Sequence, residues 1–278
     1  MSFRIIVDSC CDLSPSLLRT NTFSRVPLTL RIGDFPVSDD QTFDQSDFLR
    51  RMKASETAPR TACPSPAQYM DTFDCGADDL YVVTLSALLS GSHNSAQQAR
   101  QIWLEEHPLV NIHIFNSCSA SSGEVLLALR IWELARSGLP FQEVIRRTSL
   151  FSNEMKTMFV LESLDNLRKN GRLSTLQSAL TGALHIKLLM GATPEGEICK
   201  LGQGMGIKQA LSKMIDRMAG DTAHQGRTLS ITHCNCLERA FTVRDMVRSR
   251  CQFRDIIIGE AGGVTTVYAN DGGIVVAY

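Results

Sequence analysis

Thr84-Leu-Ser-Ala-Leu-Leu-Ser-Gly-Ser-His-Asn-Ser-Ala96 joins a short apolar run, Leu80 to Leu85, to an amphipathic stretch that carries Ala96, Ala99, Ile102 and Trp103 on one helical face. The reading is strand, hydroxyl-rich loop, helix. Backbone N–H groups at a helix start lack intrahelical acceptors and the helix dipole adds positive charge, so such a loop suits an anion. Ser90 and Ser92 add hydroxyl donors, and Gly91 lets a ligand approach the backbone. Taken singly, Ser92 or Asn94 reads as a helix cap. The density of hydroxyls at the C-terminal end of a strand favours a ligand site, the usual location in parallel α/β sheets.

Working outward, the same arrangement recurs. Phe3 to Val7 is an apolar run ending at Asp8-Ser9, and Val110 to Phe115 ends at Asn116-Ser117. Helical patterns follow each of them, at Leu13 to Leu18 and at Ala120 to Arg136, the latter closed by Gly138. Arg25 to Ile32 reads as one further strand turning at Gly33-Asp34, and Phe43 to Met52 as an amphipathic helix. Pro59 to Pro66 is a proline-rich loop leading into a helix at Pro66 to Asp74, and Phe141 to Asn153 is another helix. Strands alternating with helices argue for a mostly parallel sheet flanked by helices over residues 1–155.

Beyond that seam the pattern changes. Met158 to Leu161 reads as a strand, Ser163 to Lys169 as a helix, and Gly171 as a positive-φ turn followed by a helix of small residues. Thr193-Pro-Glu-Gly196 joins two strands as a hairpin, and Gly202 to Gly206 reads as a flexible connection. Helices at Gly206 to Met218 and Leu237 to Arg250 alternate with strands at Thr228 to Thr232, Asp255 to Gly259, Val264 to Tyr268 and Ile274 to Tyr278. Residues 156–278 thus form a second, mixed α/β domain with helices, and the cleft between the two domains is the expected ligand site.

The chain has 278 residues, 44% of them hydrophobic, enough to bury two cores. With 28 basic and 29 acidic residues the formal charge is -1, which gives no footprint for nucleic acid or an anionic membrane. No segment reaches membrane-spanning length, so no stable membrane insertion is expected. The nine cysteines lack disulfide-framework spacing and fit a reducing cytoplasm. His233-Cys234-x-Cys236 lacks the paired spacing of zinc sites, and no metal or cofactor is expected.

The ordered motifs resemble those of the DegV family of bacterial fatty-acid-binding proteins. They are Val7-Asp8-Ser9 with Asp12-Leu13, Val26-Pro27-Leu28, Thr61 with Pro64-Ser65-Pro66, Leu89-Ser90-Gly91-Ser92 with Ser95-Ala96, and Asn116-Ser117. Leu164-Asp165 with Leu167, Gly171-Arg172-Leu173-Ser174, Ile186-Lys187 and Lys208-Gln209-Ala210 complete the series, which spans nearly the whole chain. The resemblance implies a two-domain DegV-like fold holding one long-chain fatty acid, with the carboxylate on Thr61 and Ser90 and the tail in an apolar tunnel. It implies no chemistry by the carrier itself, and in some members presentation of the acid to a separate fatty acid kinase that makes the acyl phosphate. Gly91, Ser92 and Tyr268 join the expected carboxylate site, with Asp8, Ser9, Asn116 and Ser117 as its support and Arg172 as a partner or phosphate contact, equally a turn arginine bonding nearby carbonyls. The tunnel wall is expected around Leu184 to Met190 and Val264 to Val267.

The sequence departs from the family pattern at three places. Tyr268 takes the place of a histidine and supplies one hydrogen bond but no positive charge. Gly202 takes the place of an arginine, and Ala62 that of a hydroxyl residue beside Thr61. Two rival readings exist. One is a serine hydrolase with Ser90 as nucleophile, His93 or His113 as base and Asp8 as orienter, although the G-x-S-x-G elbow is missing. The other is a carrier or sensor for a different amphipathic lipid.

Overall fold

The computed structural model describes residues 2–173 and 185–278. Four strands, β1 (Phe3–Asp8), β2 (Phe23–Val26), β6 (Asp79–Thr84) and β7 (Asn111–Asn116), form an all-parallel sheet in the order β2-β1-β6-β7. Strands covered on both faces are expected to be apolar throughout, and every residue of β6 is buried. Alternate side chains serve opposite layers. Ile5, Val7, Tyr81 and Val83 pack under α5 (Ser122–Arg136) and α6 (Phe141–Glu154), whereas Ile6, Leu80 and Val82 pack on α3 (Pro66–Phe73) and α4 (Ser92–Glu106).

The second sheet has six strands, in the order β10 (Ile198–Met205), β9 (Ile186–Ala192), β8 (Thr157–Val160), β13 (Ile274–Ala277), β11 (Thr228–His233), β12 (Asp255–Glu260). All neighbours are antiparallel except β11 and β12, the mixed sheet expected from the hairpin and crossover pattern. Helices α8 (Gly206–Ala219) and α9 (Leu237–Arg250) cover one face through Ala210, Leu211, Met214, Ile215, Ala240 and Val243. The other face receives α5, which packs on β11 and β13 as well as on β1 and β6. Ser122 to Ala128 of α5 are accordingly all buried, and Ser122 Oγ lies 2.8 Å from Thr232 Oγ1 and donates to the Val275 carbonyl at 3.1 Å. The strands divide near residue 155, while α5 belongs to both layers.

Three readings of the sequence are corrected. The run Arg25 to Ile32 is two strands: β2 ends at Val26, Pro27 contributes no N–H, and the chain leaves for a small antiparallel sheet as β3 (Thr29–Ile32) between β4 (Phe35–Ser38) and β5 (Arg60–Ala62). Thr61 therefore sits on a strand, paired with Leu30. Gly202 to Met205 continue β10, and a side chain at Gly204 would come within 2.5 Å of the Ala210 nitrogen, so Gly204 marks a close approach of α8. Val264 to Tyr268 lie in a helix, α10 (Gly263–Ala269). Its β-branched residues favour a strand, but the buried Asp39 carboxylate accepts the Gly263 and Val264 N–H groups at 2.7 and 2.8 Å and fixes a helix start there. The small-residue helix expected after Gly171 lies outside the described residues, as does Leu184. The remaining helices are α1 (Pro15–Leu18), α2 (Gln45–Ala54) and α7 (Asp165–Lys169).

Candidate functional site

The polar loops after β1, β6 and β7 lie side by side at one edge of the parallel sheet, opposite the β8–β9–β10 end of the mixed sheet. Between them is a cavity with about 840 Å³ of empty space, its open mouth included. Its wall is mostly apolar: Leu28, Leu85, Leu89, Phe159, Ile198 and Val264 among others. Thr157, Phe159 and Leu161 face it as alternate residues along β8 and just beyond, whereas Met158 and Val160 point into the core under α8. On the hairpin the wall falls after the expected stretch, at Gly191, Ala192, Gly196 and Ile198. Gly196 has φ +92° and sits so close to the neighbouring loop that a Cβ would lie 2.4 Å from Ser86 Oγ, which itself donates to the Gly196 carbonyl at 2.8 Å. The hairpin tip is thereby pinned over the cavity.

Polar groups gather at one end. Thr61 Oγ1 and Tyr268 Oη are 2.8 Å apart, and Ser90 and Arg172 complete the group. The Ser90 Oγ accepts the N–H of Ser92, the first residue of α4, at 3.2 Å, and the helix N-cap is Gly91, not the Ser92 or Asn94 that the sequence offered. Its own hydrogen has no acceptor among the described residues. The Thr61–Tyr268 pair holds two hydroxyl hydrogens and uses one internally. Two hydroxyl donors therefore converge on the polar end, the number a carboxylate needs to replace part of its hydration. Arg172 lies with its guanidinium carbon 5.8 Å from the Tyr268 ring centroid and donates to the Leu89 carbonyl at 3.2 Å and to the Asn170 carbonyl. It thus bonds carbonyls of its own turn and of the Ser90 loop at once.

The other residues singled out in the sequence stand behind this front. Ser92 is fully buried, donates to Asp8 Oδ2 at 2.6 Å and lies 2.7 Å from Tyr69 Oη, so it braces the loop and does not face the cavity. Gly91 lines a second cleft with His93 and Asn94, and this cleft shares Leu89, Ser90 and Arg172 with the cavity. Asp8 also accepts the Leu85 and Cys10 N–H groups at 2.9 and 3.1 Å, and Ser9 Oγ accepts the Leu28 N–H at 3.0 Å. Asn116 accepts the Ala87 and Cys118 N–H groups, and Ser117 exchanges hydrogen bonds with the Ser119 backbone. These four residues shape loops.

The hydrolase geometry is not assembled. His93 Nδ1 is 3.1 Å from Thr84 Oγ1, His113 packs edge-on against Phe115, and the Asp8 carboxylate bonds backbone and Ser92, not an imidazole. Burial holds both histidines below their ordinary range. His233 and Cys234 are buried, His233 Nδ1 accepting the Cys236 N–H at 3.3 Å.

Sequence reasoning missed a set of buried acids beside the site. Asp12 accepts from Ser121 Oγ at 2.5 Å, the Gly262 N–H at 2.6 Å and Thr265 Oγ1 at 2.8 Å, tying the loop after β1 to the start of α10. Glu124 is buried on α5 and accepts the Ser121 N–H at 3.2 Å, while its Oε2 has no partner among the described residues. Asp12 stood in the sequence only as part of the Val7–Leu13 motif with no role attached, and Glu124 only as a glutamate three residues into a helix, an ordinary surface feature. Burial raises the carboxyl pKa of Asp8, of Asp39 and of Glu124, the last further by the Asp8 charge. It pushes Asp12 up to about 7 against the hydrogen bonds it accepts. Between the unfolded value of 3.8 and about 7 the folded Asp12 keeps a proton that the unfolded chain has released. Its contribution to stability therefore falls as pH rises through that window and is level above it. Urea titrations from pH 4 to 8 are expected to show stability falling with pH more steeply than in Asp12→Asn, by at most about 1.4 kcal/mol per pH unit. Equal slopes in the two proteins would refute the assignment.

A family model described as an uncharacterised protein, DegV family, matches residues 2–278. A DegV domain-containing protein of Streptococcus gordonii is 36% identical over 281 residues, covering 100% of this chain and 99% of its own. A DegV family protein of Ruminococcus gnavus, refined with vaccenic acid, superposes with a TM-score of 0.96 at 43% identity over 100% of both chains. The Streptococcus pneumoniae Fatty Acid Kinase (Fak) B3 protein, loaded with linoleic acid, gives 0.92 at 34% identity over 100% of this chain and 99% of its own.

Proposed function

Because this chain belongs to the DegV family, we propose that it is a non-catalytic binding protein for one long-chain fatty acid, held in the cavity between its two sheets. The observation that carries the reading is the cavity itself: apolar along β8, with two hydroxyl donors at one end that are unspent among the described residues. Ser90 and the Thr61–Tyr268 pair hold the carboxylate, and the tail runs past Leu161 and Phe159 toward Thr157. Arg172 holds the Ser90 loop in place and gives the head region positive charge where the family's histidine is replaced by Tyr268. The fatty acids in the two solved relatives support the ligand class, and the kinase named with the Streptococcus pneumoniae protein supports presentation of the acid to a separate fatty acid kinase. No cofactor is needed for such a role. Nine free thiols support a reducing, cytoplasmic setting, and no described helix is long and apolar enough to cross a membrane.

The test is direct. Protein purified natively, then denatured and extracted, is expected to release a fatty acid at close to one per chain by mass spectrometry. An empty protein that also fails to take up added fatty acid would overturn the proposal.

A further inference from the structure

The end of the cavity away from Thr61 and Ser90 is not purely apolar. Thr157 Oγ1 and Ser119 Oγ face each other there at 2.6 Å, Thr157 opening β8 and Ser119 lying in the loop before α5. From Leu161 back to Thr157 the strand covers about 13 Å, so the pair stands well down the path of the acyl tail. Two other wall hydroxyls, Ser121 and Thr265, are already spent on Asp12. The Ser119–Thr157 pair is different. It holds two hydrogens and one internal bond, and its further contact, Ser119 Oγ to the Ala120 carbonyl, is long at 3.4 Å. If Ser119 donates to Thr157, the Thr157 hydrogen is left over. If Thr157 donates to Ser119, the Thr157 lone pairs are left over. Either way one hydrogen-bonding valence of a residue that lines the cavity has no partner among the described residues.

An unsubstituted alkyl chain laid against the pair covers that valence without satisfying it, which is unfavourable. A hydroxyl on the chain both donates and accepts, so it matches the pair in either orientation. The pair is closely fitted: a Cβ at Gly123 would lie 2.0 Å from Ser119 Oγ, and one at Gly191 would lie 3.0 Å from the Thr157 carbonyl. Thr157 and Ala192 also border an outer groove that contains Lys156, Asp221 and Tyr278, so the polar pair stands between the apolar cavity and a polar surface.

Resting on the carrier reading above, we infer that the far end of the cavity is a selectivity site for a hydroxyl borne by the acyl chain, with Ser119 and Thr157 as its specificity-determining residues. Delipidated full-length protein is mixed with stearic acid and with stearic acid carrying one hydroxyl, either mid-chain or at the terminal carbon, and the bound acids are quantified by mass spectrometry. One of the two hydroxy acids is expected to exceed stearic acid about five-fold, the value of one net hydrogen bond. The ratio is expected to fall to about one in the Ser119→Ala, Thr157→Val double variant and to persist in Thr157→Ser, which keeps the hydroxyl. The ratio is the readout, so a variant of reduced total occupancy is still informative, and thermal melts verify that each variant is folded. Stearic acid equal to or above both hydroxy acids in the unaltered protein, or a preference that survives the double variant, would overturn the inference while leaving the carrier reading in place. Retention of none of the three acids would sink the carrier reading as well.

Discussion

The Thr61→Ala, Ser90→Ala double variant is expected to emerge from purification without bound fatty acid. Burying about fourteen methylenes contributes roughly 11 kcal/mol before the costs of association, which are themselves about 4–15 kcal/mol. The tail alone is thus close to break-even, and the head group decides occupancy. Each hydroxyl bond to a carboxylate is worth about 1.5–3 kcal/mol, so losing the Ser90 bond weakens binding on the order of ten- to a hundred-fold even where Tyr268 Oη substitutes for Thr61, enough to empty a site whose tail is near break-even. The single variants should not be equal. Removing the Thr61 hydroxyl frees Tyr268 Oη, its partner at 2.8 Å, to donate in its place, whereas Ser90 has no such understudy among the described residues. Extraction and mass spectrometry of the three variants check this. Full occupancy in the double variant would falsify the head-group assignment.

Asp39→Ala is the second large effect. Asp39 is 1% exposed and accepts the first two N–H groups of α10, the helix that carries Tyr268. Alanine strands both donors in a buried place. We expect a loss of about 3 kcal/mol in denaturant unfolding, together with reduced fatty-acid occupancy because Tyr268 is no longer held against Thr61. The space left by Asp39 cannot be refilled from α10, since a Cβ at Gly263 would come within 2.5 Å of Leu30. Unchanged unfolding free energy would show that α10 does not depend on this cap.

The fate of α10 also shows where reading the chain stops. Val264-Thr265-Thr266-Val267 has the composition of a strand, and nothing nearby argues otherwise. The group that makes it a helix lies more than two hundred residues earlier, at Asp39. Local patterns were enough wherever the structure is local: the apolar runs of β1, β6 and β7 and the hydroxyls at their ends were all visible. The hairpin at Thr193 to Gly196 was visible as well. What was hidden is whatever depends on contacts across the chain. Ser92 looks like a ligand donor until Asp8 and Tyr69 are found around it, and Asp12 and Glu124 look solvated until α5 is seen to be covered on two sides. Thr61 was reached through resemblance to a family and Ser90 first as a hydroxyl of its loop, and their unspent hydrogens among the described residues only through the geometry.

Helix α5 lies between the two sheets, packed on β1 and β6 by one side and on β11 and β13 by the other. A cut at the seam near residue 155 would leave the first fragment with a bare apolar helix flank and the second with an uncovered sheet. Neither piece would be a soluble folding unit, and the halves cannot swing apart as a hinged jaw without wetting that flank. A ligand reaching the cavity between the sheets therefore does so without parting them, and the rate of loading is a property of local motion and not of the distance between domains.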